Sequence, residues 1–190
     1  MMNHDSHSRQ FVYMLIKDYL KFALEGPQAA PASSSAAETL RKAASLFQEV
    51  RQREFELYIK QLNIASTEDV KQAFPILMSE IYSDGKDNWS RLVALYAFCG
   101  ELVRHLKRRG IPEEELVEDV AQCMAHHTWT AKAAWIKENG SWEKGFVEYF
   151  KREDTGFVDY FRQKSPRFSY AKLAAVTGII AAFSFVIYQH

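Results

Sequence analysis

Apolar residues recur at helical spacing along most of the chain. Over 11–24 they fall three and four positions apart, with Lys17, Asp18 and Lys21 on the opposite face, which is the pattern of an amphipathic helix. Similar patterns predict a long helix over about 38–62 and a shorter one that begins near Thr67. No stretch shows the sustained alternation of apolar and polar residues that is typical of a half-buried strand. The pattern therefore predicts an all-α protein.

The stretch 88–109 differs from the other predicted helices. Apolar residues from Trp89 to Cys99 cover its whole circumference, and a helix that is apolar all round is buried on all sides. Helical patterns follow over 112–137, with a break near Thr128, and over 142–151. Together they predict a helical bundle of about eight helices wrapped around a buried central hydrophobic helix.

Two segments lack the pattern of a core helix. Residues 26–37 are rich in Ala, Ser and Pro and are predicted to form a flexible linker within a helical domain of residues 1–165. Residues 173–188 carry no charge and follow a basic stretch, which predicts a C-terminal transmembrane tail helix at 166–190 with the domain in the cytosol. The alternative for the tail is a buried terminal helix, or one that lies in a groove of the same protein.

The composition and the motifs argue against several classes of function. The chain has 24 Lys and Arg and 24 Asp and Glu, whereas a nucleic-acid-binding domain usually has a basic excess. There is no Gly-rich phosphate loop, nucleophile elbow or HExxH motif, so we expect no enzyme, no catalytic residue and no cofactor. Cys123, His126 and His127 are close in sequence, but adjacent histidines on a helix point about 100° apart, so no metal site is expected.

Two clusters combine polar and apolar residues. Asn88 and Arg91 follow the turn at 84–85 and begin the apolar central helix, and a guanidinium there is suited to a carboxylate. The alternative for this cluster is a helix cap followed by a surface cation. In the second cluster Trp135 and Trp142 flank an Asn-Gly turn, and the alternative is that both rings pack in the core.

Four stretches resemble the homology regions of one family. DGKDNWSRLVALYAFCG, residues 84–100, resembles the first homology region of the Bcl-2 (B-cell lymphoma 2) family of apoptosis regulators, and TAKAAWIKENGSWEKGFVEYF, residues 130–150, resembles the second. LRKAASLF, residues 40–47, is similar to the third region, and residues 11–26 are a weaker match to the fourth. The combination is specific because the regions are correctly ordered and spaced around a buried helix.

The resemblance implies a groove that holds the amphipathic death-motif (Bcl-2 homology 3) helix of a pro-apoptotic partner. The groove would lie between the third-region helix, the next helix and the start of the central helix. Arg91 would bind an aspartate of the partner, beside Asn88, with Glu80 on the rim. The apolar floor and walls would be formed by Phe47, Phe55, Leu77, Ile81, Ala94, Phe98 and Phe150.

The chain departs from the family pattern at three points. The turn before Asn88 is one residue longer than usual, and Ser90 stands where the family has Gly, which could crowd a bound helix. In the third region Ser45 stands where the family has Asp. An exposed third-region helix without this Asp would lose a charge-assisted pair with a partner's Arg, worth about 1.5–3 kcal/mol.

The resemblance leaves two roles open. Ser45 favours a survival factor that sequesters death-promoting helices over a membrane-permeabilising effector of the same fold, whose own third-region helix must emerge. A third reading is an unrelated tail-anchored helical adaptor. The expected location is the cytosolic face of the mitochondrial outer membrane, with the endoplasmic reticulum as a second site.

Overall fold

The computed structural model describes residues 8–152 of the chain, and all the regular secondary structure within them is helical. Six α-helices follow one another, together with a 3₁₀ turn at Gly26–Gln28 and a π-helical turn at Ser141–Phe146. The α-helices are α1 Arg9–Glu25, α2 Ser35–Leu62, α3 Thr67–Ile81, α4 Trp89–Arg108, α5 Glu113–Glu138 and α6 Val147–Arg152. The all-α prediction is confirmed for this part of the chain.

The predicted tail helix at 166–190 lies outside the described residues, and so does the end of the predicted domain at 165. Among the helices of residues 8–152, none is both long enough and apolar enough to cross a bilayer. Six helices are seen where about eight were predicted for the domain, so the count of eight stays a prediction.

Serine and asparagine caps fix where the helices begin. Ser34 caps α2 by accepting a hydrogen bond from the backbone N–H of Ala37 at 3.1 Å, and Ser66 and Asp69 form a reciprocal capping box at the start of α3. As a result α2 begins inside the stretch 26–37 that was predicted to be a flexible linker. Ala36 and Ala37 are fully buried, because their small side chains let the start of α2 pack closely against the core.

The prediction of a buried central helix is confirmed by α4. This helix packs against α1, α2, α3 and α5, and its residues from Leu92 to Gly100 are all buried. Gly100 marks a close approach, because a Cβ at this position would lie 2.3 Å from the Tyr19 hydroxyl oxygen in α1. Glycine is thus required where α1 crosses α4.

The predicted break near Thr128 is wrong, since α5 runs without interruption from Glu113 to Glu138. Thr128 is fully buried, and its hydroxyl shares a 2.8 Å hydrogen bond with the hydroxyl of Tyr96 in α4. The stretch contains no Gly or Pro, so nothing in the backbone ends the helix there.

In the second tryptophan cluster, Trp142 is fully buried in the core, whereas Trp135 is partly exposed and packs against it. The Trp89 ring centroid lies 4.7 Å from that of Trp135, 5.2 Å from that of Trp142 and 5.3 Å from that of Phe146. Trp142 is carried by the π-helical turn, whose tight path needs Gly145: a Cβ there would lie 1.7 Å from the backbone oxygen of Asn139. The turn thus delivers an aromatic anchor to the start of α4.

Candidate partner-binding groove

The apolar residues predicted to line a groove lie in one core cluster between α2, α3 and α4. The ring of Phe55 is 5.8 Å from that of Phe47 and 5.2 Å from that of Phe98, measured between centroids. Leu77 of α3 and Ala94 of α4 belong to the same cluster. All five side chains are buried within the protein. The structure therefore brings these predicted lining residues together, with the protein's own side chains closed over them.

The remaining predicted lining residues lie on α3 and α6. Ile81 and Glu80 occupy the last turn of α3 and are partly exposed, as expected for a rim. Phe150 lies in α6, where its ring centroid is 5.0 Å from that of Phe146. Phe150 also lines a surface cavity of about 1060 Å³ that is bounded by the end of α1, the α1–α2 connection, the outer face of α2 and α6.

Asn88 serves as the N-cap of α4. Its side-chain oxygen accepts a hydrogen bond from the backbone N–H of Arg91 at 3.2 Å, and the capping alternative is therefore correct for this residue. Such a bond satisfies one of the free N–H groups of the first turn. It fixes the point at which the Arg91 side chain leaves the helix.

Arg91 is bound by the loop that joins α3 to α4. Its guanidinium donates to both carboxylate oxygens of Asp84, at 2.5 and 2.7 Å, and to the carbonyls of Lys86 at 2.8 Å and Ile81 at 3.1 Å. The guanidinium, together with the backbone N–H of Lys86, holds the pKa of the Asp84 carboxyl well below its usual range. The arginine predicted to bind a carboxylate thus binds one that belongs to its own chain.

The same loop is held from the other side by α5. Lys132 pairs with Asp87, and its ammonium lies 3.7 Å from the centroid of the Tyr82 ring. Burial raises the pKa of the Tyr82 hydroxyl above its usual value. Sequence reasoning identified the turn at 84–85 but missed these contacts, because no local pattern links Lys132 to a loop some 45 positions earlier.

Ser90, which replaces the family's glycine, is buried at 1% exposure. Its hydroxyl shares a 2.9 Å hydrogen bond with the hydroxyl of Tyr149 in α6. The extra side chain is therefore accommodated within the protein, where it ties the start of α4 to α6. The expectation that it crowds a bound helix stays a prediction.

The third-region helix is fastened to the core by a polar network that sequence reasoning missed. Gln48 is buried, and its side-chain amide donates to the Tyr19 hydroxyl at 3.2 Å and to the carbonyl of Ala97 at 2.9 Å. Arg104 donates to the side-chain oxygen of Gln48 at 3.2 Å and to the carbonyl of Ala23 at 2.6 Å. By contrast, Ser45 lines the surface cavity on the outer face of α2.

These features define a class of protein. A buried apolar cluster between three helices, with a guanidinium at the start of one of them, suits the binding of an amphipathic helix through its apolar face and one carboxylate. Residues 40–142 match the model of the apoptosis regulator proteins of the Bcl-2 family. The chain belongs to this family, whose members act by binding partners and are not enzymes.

Two relatives and one solved structure are similar over most of the chain. It is 30% identical to Bcl-2-related protein A1 of Bos taurus over 142 residues, which cover 74% of this chain and 81% of that protein. It is 30% identical to the anti-apoptotic protein NR13 of Gallus gallus over 174 residues, covering 92% and 93%. The fold matches a zebrafish pro-survival protein NRZ in complex with Bad BH3, with a TM-score of 0.67, 30% identity and coverage of 75% and 93%.

Proposed function

We propose that this protein is a pro-survival regulator of apoptosis that sequesters the death-motif helices of pro-apoptotic partners. The observation that carries the proposal is the position of Arg91. Its guanidinium lies at the start of the buried central helix, and the bidentate partner that it already holds is a carboxylate. A partner helix with apolar residues at helical spacing and an aspartate on its polar side complements this arrangement.

Binding requires the groove to open. Phe47, Phe55 and Phe98 now contact one another, so a partner's apolar side chains must separate these rings and replace their contacts. We expect α3, the shortest of the three helices around this cluster, to move and the two long helices α2 and α4 to stay in place. Affinity should come from a few deeply inserted anchors.

The survival role is favoured over the effector role by how α2 is held. An effector must expose its third-region helix, and here that helix contributes Gln48 to a buried network that joins α1, α2 and α4. Pulling α2 out would strand several buried polar groups, each costing about 1–3 kcal/mol. Ser45 supports the same choice, because it cannot supply the carboxylate that a partner's arginine would bind.

The membrane part of the proposal concerns residues 166–190. Their uncharged stretch and the preceding basic residues support a tail anchor that keeps the helical domain in the cytosol, on the mitochondrial outer membrane and also on the endoplasmic reticulum. Deleting 173–190 should then abolish membrane attachment in cell fractionation and leave peptide affinity unchanged. A truncated chain that no longer folds would instead place the tail in the core.

Two assays test the proposed role. Calorimetric titration with a Bad BH3 peptide should give saturable binding with one peptide per chain. In a liposome dye-release assay, the full-length protein should release no dye when the peptide is added, and should block release by a permeabilising family member. Dose-dependent release by this protein itself would establish the effector role, and no binding of any death-motif peptide would favour an unrelated adaptor.

A further inference from the structure

The α3–α4 loop places four acceptors around one guanidinium. Both oxygens of the Asp84 carboxylate and the carbonyls of Ile81 and Lys86 all lie within 3.1 Å of the Arg91 terminal nitrogens. The two carbonyls belong to the backbone, whereas the carboxylate is a side chain in a turn. Of the two charged groups, Asp84 is the more accessible: its side chain is 47% exposed and that of Arg91 is 18% exposed.

We propose that Asp84 is an internal competitor for the aspartate of a partner helix, so that partner binding exchanges one carboxylate for another on Arg91. This inference rests on the proposed function, and it adds a residue that sets specificity from outside the groove. Before binding, Asp84 keeps the guanidinium neutralised and in place. On binding, the partner's carboxylate takes the same two nitrogens, and Asp84 turns into solvent.

The exchange is feasible because Arg91 also donates to two backbone carbonyls, and Asp84 gives up only the guanidinium and one hydrogen bond from the exposed Lys86 backbone N–H. The carbonyls of Ile81 and Lys86 hold one terminal nitrogen, so the guanidinium stays oriented while its carboxylate is replaced. Because Asp84 is about half exposed, its release moves a carboxylate into water with little desolvation to overcome. An ion pair that is this open to solvent contributes little, since water screens the attraction between its two charges.

The far end of the loop is held independently. Asp87 pairs with Lys132 of α5, whose ammonium also lies over the Tyr82 ring. These contacts keep the loop attached to the bundle when Asp84 leaves Arg91. They also offer a matched control, since Asp87 carries the same charge three residues away and pairs with a different cation.

The consequence is a filter on partner helices. A helix with an aspartate at the right position can replace Asp84, and its binding is reduced by the competition. A helix that lacks this aspartate leaves the internal pair intact and neither gains from Arg91 nor competes with Asp84. Neutralising Asp84 should therefore strengthen binding only for helices that carry the carboxylate.

The test is a set of calorimetric titrations with the full-length protein in detergent. Wild type, Asp84→Asn and Asp87→Asn are each titrated with a Bad BH3 peptide and with the same peptide in which every aspartate is replaced by asparagine. The amide introduced by Asp84→Asn keeps an oxygen that can accept from the Lys86 backbone N–H, as the Asp84 carboxylate does at 3.1 Å, so the turn is preserved. Thermal melts of the three proteins check that they fold equally well.

We expect Asp84→Asn to bind the aspartate-bearing peptide roughly two- to fivefold more tightly than wild type, the range given by releasing one partly exposed ion pair. The gain should vanish with the asparagine peptide. Asp87→Asn, which weakens the attachment of the loop without freeing Arg91 from Asp84, should change the affinity for both peptides by the same factor. Equal or weaker binding of the aspartate peptide by Asp84→Asn would overturn the competitor role. Failure of both peptides to bind wild type and Asp84→Asn would instead refute the proposed function.

Discussion

Two arginines of α4 show how the ends of one helix are held differently. Arg104, near the C-terminal end, donates to the Ala23 carbonyl of α1 and to Gln48 of α2, and pairs with Glu101. Arg91, in the first turn, binds groups of the preceding loop and the end of α3, at most ten positions away. One guanidinium joins three helices, and the other closes a turn.

The difference shows which contacts a partner can replace. The groups around Arg104 include a helix carbonyl and a buried amide, and losing them would leave polar atoms without partners inside the protein. The principal partner of Arg91 is a carboxylate in a solvent-exposed turn, and a carboxylate from another chain can take its place. Stability should therefore depend on the Arg104 end, and partner binding on the Arg91 end.

The largest expected effect is on binding and comes from Arg91→Ala. It should weaken the affinity for a Bad BH3 peptide by about 2–5 kcal/mol, roughly 30-fold or more, because the peptide's aspartate loses its guanidinium partner. Stability should fall by no more than about 1 kcal/mol, as the lost ion pair is partly exposed. Titration calorimetry and thermal melts measure the two effects separately.

Arg104→Ala is the matched control for Arg91→Ala. It should lower the melting temperature and leave the peptide affinity as in wild type. If Arg104→Ala weakened binding as strongly as Arg91→Ala, both ends of α4 would contribute to partner binding, contrary to what the contacts indicate.

Next in size is Gly100→Ala, at the crossing of α1 and α4. The new Cβ would lie 2.3 Å from the Tyr19 hydroxyl oxygen and 2.9 Å from the Gln48 amide nitrogen. Overpacking of this kind costs about 1–3 kcal/mol, and denaturant unfolding should report a loss in that range. Adding Tyr19→Phe removes the closest atom and should restore part of the stability. Additive losses in the double variant would contradict this account.

A smaller effect is expected from Ser90→Ala. This variant tests whether the buried hydrogen bond beside Arg91 contributes to the stability of the protein. Losing the hydrogen bond to Tyr149 should cost about 1 kcal/mol. Tyr149→Phe should cost a similar amount, and the double variant no more than either single change, because both remove the same bond. A tighter peptide complex with Ser90→Gly than with Ser90→Ala would show that the side chain at this position crowds the ligand.

The smallest expected effect is on the pH dependence of stability, and it comes from Glu118 of α5, away from both ends of α4. Hydrogen bonds from Lys17, Tyr13 and Gln122 lower the pKa of Glu118 to about 2. Because this pKa is lowered in the folded protein, its stabilising contribution is complete above the ordinary pKa of about 4.5 and is lost as pH falls towards 2. The gap in melting temperature between wild type and Glu118→Gln should therefore narrow over that window. The gap between wild type and Lys17→Met should narrow over the same pH range. A gap that stays constant with pH would contradict the lowered pKa of Glu118.

Much of the fold could be predicted because its signals are local. Helical spacing of apolar residues predicts helices at the positions of α1 to α5, and its sixth stretch, 142–151, covers the π-helical turn and α6. The fully apolar circumference identifies α4 as the central helix. The errors also have local causes. Two alanines near the start of α2 resemble linker residues, yet their small size is what allows close packing. Thr128 has low helix propensity, yet Tyr96 satisfies its hydroxyl in the core.

The site was less predictable because its contacts join distant parts of the chain. The apolar residues of the cluster could be named from the resemblance. The internal partner of Arg91 could have been suspected, since Asp84 stands in the same turn. The pairing of Lys132 with Asp87, and that of Gln48 with Tyr19 and Arg104, depend on tertiary geometry that no spacing in the sequence encodes.

The aromatic cluster at the start of α4 has an optical consequence. Three of the four tryptophans lie together, with the Trp135 and Trp142 rings both tilted against the ring of Trp89. Among the described residues the indole nitrogen of Trp142 has no hydrogen-bond partner. An indole that is shielded from water emits at short wavelength, and rings this close together transfer excitation energy to one another. Since Trp89 directly follows the loop that holds Arg91, the emission spectrum should shift when that loop rearranges. The Trp129→Phe variant would then report the binding of a tryptophan-free helix through its intrinsic fluorescence, without an attached dye.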